Sequence, residues 1–431
     1  MRDWQETTLD QAVQINPPVK ISTGTNAPFV DMKQVEPGHK FVRAAEWRTY
    51  TGGGSKFISG DTLMARITPC LENGKIGQYR SDDGLATNGS TEFIVFRGKP
   101  GSTDNEFTYY LITSPDVRNF SIGQMTGTSG RQRVPTDCFK KYLVSLPPLP
   151  EQRAIAAILG SLDNKIKLNR QMNTTLEAMA RALFKSWFVD FDPVCTKIEG
   201  KQPFGIDAAT AALFPSRLVS SPLGDIPEDW KITPVIESGE FINGAAYKNM
   251  HFSNAPDALP VIKIAELKNG ISPTTQYTNT DLGSKFGLDT GDILFSWSGS
   301  PDTSIDTFIW TGGPAWLNQH IFKVVNANKE KRCFTYWLLK YLNPTFIEIA
   351  RDKQTTGLGH VTRADMQRIK FAEPSEEIMS AFYQKAGPIM GKIQANMSQG
   401  EKLARTRDYL LPKLISGDIR IPDAEKFLEA A

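Results

Sequence analysis

The chain has 431 residues, 40% of them hydrophobic and 22% charged, which is enough for two or three domains with cores of their own. The 49 Lys and Arg against 47 Asp and Glu leave a formal net charge of +2, too small to indicate a nucleic-acid partner by itself. No apolar run reaches the ~18 residues of a membrane span, and no signal-peptide pattern opens the sequence. The four cysteines show no zinc-ligand spacing, so we expect a soluble cytoplasmic protein without membrane contact, disulfide framework or metal site.

An internal repeat is the most informative feature of the sequence. The run FTYYL at 107–111 returns as FTYWL at 334–338, a shift of 227 positions (334 − 107). The same shift carries Val134 onto Val361 without a gap. Further upstream the offset drifts by a few residues, as insertions in loops would cause. The sequence therefore predicts two copies of one unit, related by an approximate twofold axis.

Each copy begins with a globular domain, 1–150 in the first and 221–374 in the second. Short runs rich in β-branched and aromatic residues, separated by Gly, Pro, Asn and Asp, predict strands in both domains. The predicted strands are 63–67, 93–96, 261–264 and 321–325, and a helix is predicted to start near Phe107 and near Phe334. These patterns predict two α/β domains.

A long helix follows each domain, at 151–190 and at 375–416, with a linker at 191–220 and a C-terminal tail at 417–431. Apolar positions in both helices alternate in steps of four and three, which is the spacing of a coiled-coil seam. The seam positions are Ile155, Leu159, Leu162, Ile166, Asn169, Leu176 and Leu183 in the first helix and Ile389, Ile393, Asn396, Leu403 and Leu410 in the second. The predicted fold is therefore α+β, with two α/β domains separated by two long antiparallel coiled-coil helices.

The seam carries two further predictions. Asn169 and Asn396 occupy the same seam position, so either they pair and fix the register of the helices or they lie near a solvent-open end. A helix over 151–188 would be roughly 57 Å long, which exceeds one turn of duplex DNA at ~34–36 Å. We interpret the helix pair as a ruler that holds the two domains at a fixed separation. Pro388 should kink the second helix or delay its start.

Catalytic motifs are scarce in the sequence. Asp257, Glu266 and Lys268 have the loose spacing of a Mg²⁺-dependent nuclease site, but a Pro-Asp turn before a strand produces the same short pattern. The four histidines show no paired-ligand spacing, and neither a GxxxxGK[ST] phosphate-binding loop nor a GxSxG elbow is present. The sequence predicts a non-catalytic protein, with a stand-alone Mg²⁺-dependent endonuclease as the alternative.

A short polar loop precedes the last strand of each domain. Glycines let the backbone approach a partner closely, arginine reads guanine bidentately, and glutamine reads adenine. The candidate DNA-binding residues are Thr128, Ser129, Arg131, Gln132, Arg133, Lys140 and Lys141 in the first copy and Thr355, Thr356, His360, Thr362 and Arg363 in the second. A solvated polar loop is the alternative. Both copies keep a Thr/Gly loop whose other residues diverge, which favours two domains that read different bases.

Three segments resemble the specificity subunit of type I restriction–modification systems. They are LPPLPEQRAI at 146–155, LDNKI at 162–166 and LFKSWFVDF at 183–191. The stretch from PFG at 203–205 to LGDIPEDW at 223–230 is similar to that family's link into its second recognition domain. The second helix departs from the pattern, since EPSEE at 373–377 stands where the LPPLPEQ entry of the first copy begins.

The resemblance implies that both globular domains are target-recognition domains, each reading one half of a bipartite site in double-stranded DNA. It also implies that two methyltransferase subunits dock along the helices and that motor–nuclease (restriction) subunits join them. S-adenosylmethionine, ATP and Mg²⁺ would be bound by those partners and not by this chain. Met179, Phe184 and Phe188 lie off the seam and are either partner contacts or packed against a recognition domain. A scaffold that binds no DNA is the remaining alternative.

Overall fold

The computed structural model describes residues 4–128, 130–272, 274–354 and 357–424. The chain divides into two compact units, each with its own hydrophobic core. The first unit joins the described part of Met1–Leu168 to that of Gln399–Ala431, and the second is the described part of Asn169–Ser398. The boundary cuts both long helices near their middle, so each unit holds one globular domain and one half of each helix.

The globular domain of the first unit is built on two mixed sheets. A five-stranded sheet has the order Val13–Ile15, Phe93–Gly98, Thr62–Ala65, Ile76–Tyr79, Phe41–Val42, and a four-stranded sheet has the order Glu46–Thr49, Asn26–Val30, Thr87–Gly89, Ser55–Phe57. Gln5–Thr8 pairs with Leu143–Leu146 beside them. Its helices are Leu9–Ala12, Asn105–Thr113 and Pro115–Gly123, with 3₁₀ turns at Met32–Gln34 and Thr136–Lys141. Asp104 starts the Asn105–Thr113 helix by accepting hydrogen bonds from the Glu106 and Phe107 amides.

The globular domain of the second unit repeats this plan with two four-stranded sheets. Their orders are Glu240–Asn243, Ile321–Val325, Ile293–Ser296, Asp306–Ile309 and Tyr277–Thr278, Leu259–Ile262, Ala315–Leu317, Gly287–Leu288. Two-stranded pairs are formed by Lys231–Pro234 with Lys370–Glu373, by Ser298–Gly299 with Gly359–His360 and by Leu218–Ser221 with Gly224–Pro227. Its helices are Ile264–Asn269, Pro301–Ser304, Lys329–Tyr341, Asn343–Asp352 and Arg363–Arg368, with 3₁₀ turns at Val235–Ser238, Asn249–His251 and Ser284–Phe286.

One predicted strand lies two residues earlier in the structure than the sequence predicted. The strand predicted at 261–264 is Leu259–Ile262, and Ile264 already begins the helix Ile264–Asn269. The Glu266 carboxylate accepts a hydrogen bond from the Lys263 amide at 3.0 Å, so this side chain caps the helix and ends the strand.

The two long helices are Leu149–Phe188 and Glu376–Ile415, each of 40 residues. Pro388 therefore does not delay the start of the second helix. Within the second unit, Asn169 contacts Asn396 and Phe188 contacts Phe382. Residue numbers therefore rise along one helix as they fall along the other, so the helices run antiparallel. The predicted antiparallel helix pair between two α/β domains is confirmed. No helix in the described ranges is both long and apolar enough to cross a membrane.

The seam residues are distributed between the two units. In the first unit Ile155, Leu159, Leu162, Ile166, Leu403 and Leu410 are buried in one core. In the second unit Ile393 is buried, and Leu176, Leu183 and Ile389 are partly buried against the core. Two apolar seams cover each other within each unit, and this removes their area from water.

Asn169 and Asn396 lie at the middle of their helices and are 5% and 3% exposed, so they are not at a solvent-open end. Asn396 Nδ2 donates to Asn173 Oδ1 at 2.8 Å, and Asn169 Nδ2 donates to the Asn396 carbonyl at 3.4 Å. The two asparagines are equivalent in the repeat and contact each other. Hydrogen bonds of this kind form in one register of the helices only.

The end of the first helix packs against the globular domain of the second unit. Phe184 and Phe188 are buried, with ring centroids 5.5 and 5.0 Å from Phe334. They are therefore core residues, and of the three candidates for partner contact only Met179 is exposed, at 56%. The shift of 227 carries Phe184 to Leu411, which is buried with Phe107 in the first unit. Each domain thus packs against the end of the helix that belongs to the other copy.

The linker and the tail are partly ordered by packing. The linker contains the short helices Asp192–Ile198 and Ala208–Leu213, and Phe214 is buried with its ring 5.1 Å from Trp187. Of the predicted tail, residues 417–424 lie on the first unit, where Ala424 is buried. Residues 425–431 lie outside the described residues.

Candidate nucleic-acid interface

The polar loop of the first domain is a closed turn at one end of the five-stranded sheet. Thr126 and Arg133 exchange two backbone hydrogen bonds, of 3.0 and 2.9 Å, and the Arg131 amide donates to the Thr128 carbonyl. Gly127 and Gly130 have φ values of 129° and 79°, a region that glycine enters without strain. The backbone therefore holds the loop closed, and the Thr128 and Arg131 side chains are exposed.

Arg133 is held by a carboxylate that lies 41 residues away in the sequence. Its Nε and Nη2 donate to both oxygens of Glu92, at 2.7 to 3.1 Å. The Arg133 hydrogen bonds lower the pKa of Glu92 below its ordinary value, so Glu92 stays ionised at neutral pH. Arg66 lies beside this pair, and its amide donates to the Glu92 carbonyl at 2.9 Å.

The other candidates of the first copy serve different purposes. Gln132 is half-buried, and its carbonyl accepts hydrogen bonds from the Thr68 amide and hydroxyl. Lys140 donates to Asp137 at 2.6 Å on the surface, and Lys141 is exposed. Ser129 lies outside the described residues. The structure thus brings Arg131 and Arg133 together on the loop, with Lys140 and Lys141 on the turn that follows.

A cleft of about 590 Å³ beside this loop was not predicted from the sequence. Lys20, Lys56 and Arg66 are among its lining residues, and no carboxylate is. Among the described residues, no carboxylate lies within ion-pair distance of these three cations. Such a cleft suits backbone phosphates, which need positive charge and carry no sequence information.

The second domain presents aromatic and imidazole side chains at the same place. Trp297 lies with its ring 5.5 Å from that of His320, and its Nε1 donates to Asn243 Oδ1 at 3.0 Å. His360 pairs with Ser298 in a two-stranded segment, and both His320 and His360 are exposed. Thr355 and Thr356 lie outside the described residues.

Thr362 and Arg363 are engaged within the second domain. The Thr362 hydroxyl donates to Asp365 Oδ2 at 2.6 Å and caps the helix Arg363–Arg368. The Arg363 guanidinium lies 5.2 Å from the centre of the Phe322 ring and donates to the Phe241 carbonyl. Both side chains are bound to their own domain in this structure, which distinguishes them from exposed His360.

Asp365 fixes the second loop, and replacing it by Asn should destabilise the second domain. Burial favours the neutral form of Asp365, but hydrogen bonds from Lys353, Thr362 and Arg368 outweigh burial and hold its pKa well below the ordinary range. We expect Asp365→Asn to lower the free energy of unfolding by about 1–3 kcal/mol. The loss is no larger because Lys353 and Arg368 remain partly exposed to water, which solvates them when the carboxylate is gone. Urea denaturation at pH 7 measures this cost.

The pH dependence of the same variant provides a second measurement. A carboxylate whose pKa is depressed on folding contributes stability above its unfolded pKa of about 3.9, and this contribution is lost as the pH falls below that value. The difference in stability between wild type and Asp365→Asn should therefore shrink as the pH falls below about 4. A difference that stays constant to pH 3 would show that the charge of Asp365 is not the cause.

The nuclease-like triplet is not a compact acidic site. Glu266 is buried and accepts hydrogen bonds from the Lys263 amide and the Thr275 hydroxyl, whereas Asp257 and Lys268 are exposed. Within the part of the chain that the structure describes, no three His, Cys, Asp or Glu side chains lie close enough to hold a metal ion.

The two domains present their loops from equivalent backbone positions. In the first, the Arg66 amide donates to Glu92 and the Val134 amide donates to the Arg66 carbonyl. In the second, the Trp297 amide donates to the His320 carbonyl and the Val361 amide to the Trp297 carbonyl. Arg66, Glu92 and Arg133 therefore correspond to Trp297, His320 and His360. Sequence reasoning missed Arg66, Glu92, Trp297 and His320, although the pair Gly60-Asp61 and Gly291-Asp292 carries the same offset of 231 that links Arg66 to Trp297.

Two copies of one α/β domain, each followed by a long helix and each presenting a polar loop, define a protein with two equivalent candidate interfaces. The sequence matches the type I restriction modification DNA specificity domain over residues 2–178 and 227–390. These ranges cover well over half of the chain. The chain therefore belongs to the family of type I restriction–modification specificity subunits, as its sequence resemblance predicted.

Individual relatives agree with this assignment. The HindI type I restriction enzyme specificity subunit of Haemophilus influenzae is 26% identical over 97% of this chain and 100% of its own length. The MjaIX specificity subunit of Methanocaldococcus jannaschii is 25% identical over 74% of this chain and 70% of its own. A solved structure, the type I restriction-modification S subunit from M. genitalium, matches at 15% identity with a TM-score of 0.50 over 96% of both chains, and it supports the fold.

Proposed function

We propose that this chain is the non-catalytic DNA-reading subunit of its complex, in which each domain reads one half of a bipartite target. The observation that carries the proposal is the pair of equivalent loop frameworks with different side chains, Arg66, Glu92 and Arg133 in one and Trp297, His320 and His360 in the other. A frame that is kept while the side chains it presents differ is what two readers of different bases require.

The helices supply the second part of the proposal. Two helices of 40 residues each run through both units, so their length would set the unread gap between the half-sites. The same helices would carry the methyltransferase subunits. Met172 and Met179 on the first helix are 43% and 56% exposed, and their equivalents on the second, Gln399 and Thr406, are polar. Exposed methionines adapt well to a partner surface.

Cofactor chemistry is assigned to the partners in this proposal. S-adenosylmethionine would be held by the methyltransferase subunits and ATP with Mg²⁺ by the motor–nuclease subunits. The chain offers neither a glycine-rich fingerprint for the methyl donor nor a phosphate-binding loop for ATP. Its own chemistry would be limited to reading bases and holding phosphates.

Long-read sequencing of methylated DNA tests the proposal directly. The chain is co-expressed with its cognate methyltransferase subunit in a host without other DNA methylation. We expect a split motif, with two short blocks of defined bases around a fixed undefined gap and one methylated adenine in each block. Methylation without a split motif would refute the bipartite reading.

The rival functions predict different results. A stand-alone endonuclease would cut plasmid DNA when the purified chain is given Mg²⁺ without partners, and the proposal expects no cleavage. A scaffold that binds no DNA would assemble with the methyltransferase subunit and yet show no sequence preference.

A further inference from the structure

We propose that Glu92 is a positioning residue that orients the Arg133 guanidinium to read a guanine in the half-site of the first domain. The inference rests on the proposed DNA-reading function and adds to it a named reader, the base it reads and the residue that directs it. It is carried by the geometry of one ion pair at the exposed end of the first domain.

Glu92 leaves one edge of Arg133 available. A guanidinium has three planar edges, and Glu92 occupies the edge formed by Nε and Nη2. Nη1 also makes a long contact of 3.5 Å with the Arg131 carbonyl. Apart from that long contact, neither Nη1 nor the second N–H of Nη2 has an acceptor among the described residues, so the end edge, made of one N–H from each nitrogen, is open to a partner. This free edge has the two parallel donors that match guanine O6 and N7 in the major groove.

The exposure of the pair agrees with this role. The Arg133 side chain is 44% exposed and the Glu92 side chain 22%, so the arginine reaches further into solvent than the carboxylate that holds it. Glu92 is itself placed by backbone structure, because it directly precedes the strand Phe93–Gly98 and its carbonyl accepts from the Arg66 amide. A long flexible side chain that is fixed on one edge loses less conformational entropy when it binds a base.

The second domain shows that the carboxylate is not required by the fold. His320 stands at the position of Glu92 and His360 at that of Arg133, and the backbone hydrogen bonds made by the Arg66 and Val134 amides recur at Trp297 and Val361. The same frame is therefore stable without an acid–guanidinium pair at this place. An arrangement that the fold does not need is expected to serve recognition, and the second domain should read a different base.

Glu92→Gln separates this role from a structural one because two effects should move in opposite directions. A neutral amide holds Arg133 poorly, so preference for guanine over adenine at one position should fall about ten-fold. Loss of one negative charge near DNA should tighten non-specific binding and steepen its salt dependence by about one unit of log K per log salt. Tighter non-specific binding follows from the lost charge alone, whereas a residue that only stabilised the loop would weaken reading across the half-site and would not relax one guanine alone.

The experiment uses the assembled complex with its methyltransferase subunits. Methylation motifs are mapped for wild type, Glu92→Gln, Arg133→Ala and the double variant, and duplexes carrying the mapped target or a single guanine-to-adenine change are titrated by fluorescence anisotropy. Asp82→Asn is the matched control, since it removes the same charge from an arginine pair, with Arg43 at 2.9 Å. Asp82 lies beyond Tyr79, at the end of the sheet opposite Arg66, because Gln78 pairs with Thr62 in antiparallel strands.

The proposal is supported if Glu92→Gln and Arg133→Ala relax the same guanine in one half-site, the other half-site is kept, and the double variant is no worse than Arg133→Ala. It is overturned if Glu92→Gln keeps the wild-type motif, or if it abolishes methylation at both half-sites with a lower melting temperature. A wild-type complex that shows no split motif would instead refute the proposed DNA-reading function. This outcome is distinguishable from the two results for Glu92→Gln, because it is seen without any substitution.

Discussion

Replacing Arg407 by Ala should lower the free energy of unfolding by about 3–5 kcal/mol, because it leaves a buried carboxylate without its cation. Arg407 lies on the second long helix, and its Nη1 donates to Asp163 on the first helix at 2.7 Å and to the Gly38 carbonyl at 3.2 Å. Both charged side chains are buried. Burial opposes the charge of Arg407, but Asp163 and the neighbouring Asp408 outweigh burial and raise its pKa above the ordinary value.

The ion pair is part of a buried network that fastens the first domain to the helices. The Tyr110 hydroxyl donates to Asp163 Oδ2 at 2.7 Å, and Lys40 Nζ lies 3.0 Å from the Tyr110 oxygen and 2.8 Å from Glu106. Burial lowers the pKa of Lys40 despite the opposing effect of Glu106. Removing Arg407 therefore disturbs several buried polar groups that are connected by hydrogen bonds.

At the equivalent positions of the second unit, apolar residues stand in place of this ion pair. The shift of 227 carries Asp163 to Met390 and relates Arg407 to Ala180, and both counterparts are buried in the second unit. Buried ion pairs can often be replaced by apolar residues at little cost. We therefore expect Asp163→Met combined with Arg407→Ala to recover more than half of the stability that Arg407→Ala alone loses.

Two measurements check this prediction on the full-length chain. Urea denaturation gives the free energies of the single and double variants, and hydrogen exchange shows where the loss occurs. Exchange should accelerate in the helix Asn105–Thr113 of the first unit and remain unchanged in the equivalent helix Lys329–Tyr341. If the double variant were less stable than Arg407→Ala, the network and not the single unpaired charge would be what the fold depends on.

This network marks the limit of what the sequence could predict. The hydrophobic period identified both long helices to within two residues, and the repeat identified two equivalent domains. Arg407 interrupts the apolar seam, so a polar partner was required, but nothing in the sequence pointed to Asp163, which lies 244 positions away. Charge pairing across the fold depends on which helix ends meet, and a local pattern does not contain that information.

The sequence predicted the candidate interface to a similar extent, since it identified some of the residues and not their contacts. Loop composition located Arg131 and Arg133, since glycines and hydroxyl residues are frequent in such loops. It did not separate them, because exposed Arg131 and carboxylate-bound Arg133 look alike in sequence. Glu92 was missed for the opposite reason: a single acid before a strand is unremarkable until the strand is placed beside the loop. Phe184 and Phe188 show the same limit, since an apolar residue off the seam can face solvent or a neighbouring domain.

Lengthening both helices by one heptad should lengthen the gap between the two half-sites of the DNA target. We propose inserting seven residues after Leu168 and seven after Ser398, positions where both helices cross the boundary between the units, with leucine at the two new seam positions. Seven residues preserve the seam and add about 10.5 Å to each helix, which corresponds to roughly three base pairs at 3.4 Å each. Methylation of the wild-type target should be lost, and the same two half-sites should be methylated at a longer gap.

The expected outcome separates spacing from reading, because the inserted residues touch neither loop. Insertion of the same seven residues into the exposed linker turn at Gly200–Lys201, outside both helices, is the matched control and should leave target and gap unchanged. Long-read methylation mapping distinguishes the two variants. The helix variant could instead methylate both half-sites at an unaltered gap. That result would show that the spacing is set by the domains or by the partner subunits. The helices would then serve only to hold the two halves of the repeat together.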